Sequence, residues 1–135
     1  MCIRDRPAGI QIGYVRQVEL QTQQYATVVK TAYNNAQNKS TLYPKTGTNS
    51  LADQFAIVAR LIAGGLGTPV YVVNIGGFDT HSAQVTSSDP TAGSHAKLLG
   101  DLSLAVGAIM DDLNLLGASD KVVGMTFTEF GGDSI

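Results

Sequence analysis

The sequence predicts the α/β class with a mainly parallel sheet, and three observations predict it. The stretch Val70-Tyr-Val-Val-Asn-Ile-Gly-Gly-Phe-Asp-Thr-His81 opens as a nearly unbroken β-branched and aromatic run bounded by Pro69 and Gly76. That is the pattern of a strand buried on both faces. A second run of the same kind, Val122-Val-Gly-Met-Thr-Phe-Thr128, lies near the carboxyl end. Between them, residues 94–116 carry Leu98, Leu99, Leu102, Ala105, Val106, Ile109, Leu113 and Leu116 at helical spacing. A helix of that length joining two strands of one sheet makes them parallel, with a right-handed crossover.

In chain order, residues 12–36 read as one long helix. Tyr14, Val15, Val18, Tyr25, Val28, Val29 and Ala32 recur at three- and four-residue steps, and the polar face is rich in Gln rather than charge. Such a helix is expected to pack along a neighbour. Residues 37–49 hold turn formers and read as a surface loop. Ser50 is the expected N-cap of the next helix, with Asp53 three residues on completing a capping-box-like pair. Leu51, Phe55, Val58, Ala59 and Ile62 form that helix's apolar face, and Gly64, Gly65 and Gly67 turn the chain into the first strand. Gly100 and Gly107 in the last helix are expected to mark close helix-to-sheet contact. Two strands do not cover a helix layer on each face, so the chain reads as part of a larger domain.

Composition narrows the function classes. The chain has 135 residues, 44% of them hydrophobic, which is enough for the core of one domain. Residues 1–45 carry six Lys/Arg against two Asp/Glu, and residues 46–135 three against nine. The acidic part holds the first strand's end, which suits a cation better than nucleic acid. Apolar runs are all too short for a membrane span. Met1-Cys-Ile-Arg-Asp-Arg6 resembles a translated sequencing adapter, so residues 1–10 are set apart as a non-native leader and 11–135 are read as the domain. The single cysteine, Cys2, falls in that leader, and the remainder offers no thiolate ligand.

Parallel strands bring their carboxyl ends to one edge, where open α/β sheets bind ligands. That edge would gather Asp79 and His81 with Thr128 and Glu129. An oxygen and a nitrogen ligand two residues apart suit zinc or manganese better than calcium. The alternative is that Asp79 caps a turn and His81 is an ordinary loop histidine. Glu129 reads either as a third ligand or general base, or as a solvated strand-end acid. His95, in the first turn of its helix, reads as a surface residue. No phosphate-binding glycine fingerprint and no nucleophile elbow occurs.

Residues 51–65, Gly76-Gly-Phe-Asp-Thr-His-Ser82, His95-Ala-Lys-Leu-Leu and 122–131 with Thr128-Glu-Phe-Gly together resemble the bacterial domain-of-unknown-function 1501 family. The resemblance covers about two thirds of the chain. It implies an alkaline phosphatase-like fold, a three-layer α/β/α sandwich whose superfamily includes metal-dependent phosphate and sulfate ester hydrolases. It also implies twin-arginine export to the periplasm or beyond, a small anionic ester as substrate, and metal-ligand roles for Asp79, His81 and Glu129. The alternative is an exported binding or assembly protein without catalysis. Gly132 stands where the family usually has Arg, and the family's later Asp-His-Gly motif does not occur.

Overall fold

A computed structural model of the chain describes residues 7–79, 89 and 92–128. Among them are three α-helices, α1 (Pro7–Asn35), α2 (Ser50–Ala63) and α3 (Ser94–Leu115), followed by a single 3-10 turn at Ser119–Lys121. α2 packs against both α1 and α3 and is the central element.

The helices follow the sequence pattern, with corrections at their ends. α1 starts at Pro7, five residues before the expected Ile12. Asn49, not Ser50, caps α2: its side-chain oxygen accepts from the Ala52 amide at 3.1 Å, while Ser50 is already helical. Asp53 makes no capping box; its carboxylate accepts from the Gly47 amide at 2.9 Å and so holds the preceding turn. α2 ends as expected at Gly64, and Gly65 takes a positive φ of 87° that an L side chain rarely adopts.

The core is the α2–α3 contact. Ala59, Ile109, Leu113 and Ala118 form one buried cluster, with Phe55, Val58, Ile62, Leu116 and Val122 packed around it. Leu51, Ala52 and Ala105 form a second, closed over by Tyr43, Phe55, Val73, Ile75 and Leu102. Ala59 and Ala105 are fully buried and Ala108 nearly so. Small residues at these positions let the two helix axes approach closely. A leucine as enclosed as Leu113 contributes about 1.5 to 3 kcal/mol through removal of its side chain from water.

The expected α/β sandwich does not form. Among the described residues there is no sheet, and the chain belongs to the all-helical class. The alkaline phosphatase-like fold, with the hydrolase and metal-binding character drawn from it, loses its structural basis here. The reason lies in what the helices bury. A sandwich needs each helix to lay its apolar stripe on a sheet, whereas α2 and α3 lay theirs on each other. Residues 70–75 keep the period-two alternation of extended chain, Tyr71, Val73 and Ile75 half-buried and Val70, Val72 and Asn74 exposed. They pack on the helices without pairing. The Gln54 side chain takes the place of a neighbouring strand, accepting from the Asn74 amide at 3.1 Å and donating to the Asn74 carbonyl at 2.8 Å. Residues 122–128 leave the 3-10 turn with Val122 extended, and no ladder joins them to 70–78. Gly100 and Gly107 mark no close contact, since a Cβ at either would meet nothing within 4 Å. Leu99 and Val106, assigned to the buried stripe by spacing, are exposed.

Candidate functional site

The expected metal edge begins where residues 70–79 reach the start of α3. Gly77, at φ 91°, turns the chain beside Leu98. The Phe78 ring then meets His95 edge-on, with centroids 6.1 Å apart and planes at 81°. Asp79, exposed, comes next. α3 begins there with Gly93 as its N-cap and no side-chain cap bond. His95 is a surface residue, as expected, though one tied to Phe78.

Of the three expected ligands, Asp79 is placed at this end of the molecule, while His81 and Glu129 lie outside the described residues. Among the described residues no three His, Cys, Asp or Glu side chains stand together as a metal group. Thr128 is exposed. Nor is any helix of the described residues long and apolar enough to cross a membrane.

A second constellation, built around Asp112, was missed. Its side chain is fully buried in α3, and the four donors that meet it are all uncharged. One carboxylate oxygen accepts from the Lys39 amide at 2.7 Å and the Ser40 amide at 3.0 Å. The other accepts from Asn38 Nδ2 at 2.7 Å and the Tyr43 hydroxyl at 3.0 Å. Next to it, Asp111 accepts from the Ser40 hydroxyl. Burial pushes the Asp112 carboxyl up, but the four donors together outweigh it and hold the group below its ordinary value. Burial, then the Asp112 charge and hydrogen bond, push the Tyr43 phenol well above its own. Enclosed on all sides, Asp112 fastens residues 38–43 to α3 and offers no surface to a ligand. The signal was present in the spacing: Asp112 follows Ala105 by seven residues and Ile109 by three, which places it on the buried stripe.

No family model, curated protein or solved structure matches the chain. The motifs quoted above therefore stand as a resemblance carried by short stretches.

Proposed function

We propose that this chain is a binding or assembly module of an exported protein, and that its partner lies along residues 122–127. One observation carries this reading: Val123, Met125 and Phe127 are 97%, 85% and 79% exposed. Val122 enters the segment extended, and where the chain continues so, alternate positions share a face and the three make one apolar row. Val122, on the opposite face, is the residue that anchors the segment to the core. An apolar row on chain that no ladder engages is what an added strand recognises, with main-chain bonds for affinity and alternate side chains for specificity. Val70 and Val72, 69% and 75% exposed, make a shorter row of the same kind. Export is what the family resemblance implies.

The test is binding of a dye that fluoresces on exposed apolar surface. A Val123→Lys, Met125→Lys, Phe127→Lys triple variant should bind measurably less dye than the parent, the remaining signal coming from the exposed apolar face of α1, and should melt within a degree or two of the parent. A signal equal to the parent's removes the row from any binding role.

A metal-dependent ester hydrolase is the second reading, and it rests on the family resemblance alone. Here Asp79, with His81 and Glu129, would hold zinc or manganese, and the metal would polarise the ester oxygen. Calorimetry with zinc and with manganese separates the readings: uptake lost in an Asp79→Ala, His81→Ala double variant supports the metal, and uptake unchanged by it supports assembly alone.

A further inference from the structure

We propose that the amino-terminal part of α1 pairs with the same segment of a second copy of this chain, antiparallel, to form a two-fold dimer. The interface is separate from residues 122–127 and rests on different observations. Tyr14, Val18, Gln21, Tyr25, Val28 and Ala32 repeat at steps of four and three, the spacing of a helix–helix seam. At its far end Ala32 is buried where α1 meets α2. Upstream the same seam is exposed, with the Tyr25 hydroxyl engaged by the Thr68 hydroxyl at 3.1 Å: Ile10, Tyr14, Val18, Tyr25 and Val28 are 63%, 69%, 42%, 56% and 54% exposed. Long apolar stripes on surface helices are covered in the functional state, because their exposure opposes solubility.

Three features point to a second copy as the cover. The described part of α1 carries three charged residues, Arg16, Glu19 and Lys30, and helical geometry puts all three on the side opposite the seam. Two copies therefore meet without repulsion. The seam is also self-complementary when reversed, as a two-fold interface requires. With the axis between Val18 and Gln21, Tyr14 falls opposite the partner copy's Tyr25 position and Val18 opposite its Gln21 position. Finally, the area suffices. The five exposed seam residues offer roughly 500 Å² per copy and about 1,000 Å² for the pair, which reaches the area a weak biological interface needs.

Sedimentation of the full chain at concentrations from about 5 to about 200 μM tests this, the span covering the micromolar affinities expected of an interface this small. The parent should sediment as a dimer at the upper end. A Tyr14→Glu, Val18→Glu variant should be monomeric throughout with unchanged helix content by circular dichroism. A Cys2→Ser background carrying Tyr14→Cys should cross-link to one carrying Tyr25→Cys and not to itself. A parent that is monomeric at every concentration overturns the proposal, as does a dimer that survives the glutamates or a Tyr14→Cys chain that cross-links to itself. None of these outcomes touches the lysine triple variant, so failure here and failure of the strand-binding reading are distinguishable.

Discussion

α3 and α1 are both long helices, of 22 and 29 residues, yet they are held in unlike ways. α3 buries Ala105, Ala108, Ile109, Asp112 and Leu113 along its inner face and is fixed by α2 and by the connector at residues 38–43. α1 meets α2 only near its carboxyl end, where Ala32 is buried, Arg60 Nε donates to the Tyr33 and Ala36 carbonyls at 3.1 and 2.9 Å, and the guanidinium lies 3.5 Å over the Tyr33 ring. Helical sequence is common to both, and burial is not. Isolated helices of modest propensity are marginal in water, so the difference should show as two stabilities within one chain.

The largest expected effect sharpens that contrast. Leu113→Ala should cost about 2 to 5 kcal/mol in chemical denaturation, because Leu113 is 1% exposed in the core. Tyr14→Ala on α1 should change monomer stability by less than about 0.5 kcal/mol. Comparable losses at the two sites would mean that α1 is as firmly held as α3.

Next comes the junction between α1 and α2. A Cβ at Gly64 would overlap the Ala32 carbonyl, a backbone group that cannot rotate aside, while the Gly64 φ of −76° is ordinary for any residue. Gly64→Ala is therefore a purely steric wedge, expected to cost about 1 to 3 kcal/mol. Amide exchange should rise along 29–35 in α1 and stay unchanged in α3. A variant as stable as the parent would show that the helices are free to separate at no cost.

Asp112→Asn should cost about 1 to 3 kcal/mol, since the connector's donors lose the charge they converge on. It should also reshape the pH profile. The folded Asp112 carboxyl lies below its ordinary 3.8, so its contribution is complete above that value and is lost as pH falls through the depressed one. Tyr43 works in the opposite sense: its folded value is raised above 10.0, so its contribution is complete below 10.0 and fades as pH rises past it. The parent's stability should fall at both ends, and the variant's acid limb should flatten. An acid limb unchanged in the variant would assign it to other carboxylates.

The smallest effect concerns Gln54. Gln54→Ala removes both bonds to the Asn74 backbone and should cost about 0.5 to 1.5 kcal/mol, with faster exchange at the Asn74 amide. No change in that exchange would mean that Val73 and Ile75 alone hold the segment.

How much of this was readable from the sequence differs by element, for physical reasons. Helices declare themselves through local spacing, and all three are legible; the expected face of α2 contains the buried Leu51 and Ala59 but leaves out the buried Ala52 and Leu61, and that of α3 contains Ala105, Ile109 and Leu113 but not Ala108 or Asp112. The cap of α2 was misplaced by one because Asn49 and Ser50 are both good caps, and only geometry chooses between them. The two β-branched runs revealed chain with strand character but could not reveal whether a partner strand is present. Tyr71, Val73 and Ile75 satisfy the alternation of a strand by packing on helices. Asp112 was overlooked because a stripe read as apolar leaves no place for a carboxylate, although its position on the stripe fixed its burial. Of the metal edge, Asp79 lies at the expected end of its run, and the residues that would complete it fall outside those described.

The Asp112 contacts also set an order of events. They join positions 69 to 74 residues apart in sequence, so the connector cannot be fastened until α3 has been synthesised and has met α2. During translation α1, the connector and α2 emerge first, and residues 38–43 wait with their amides in water. Contacts that close over such separations form late in folding. Replacing Asp112 should accordingly hasten unfolding far more than it slows folding, which makes this carboxylate a determinant of how long the native state lasts once it has been reached.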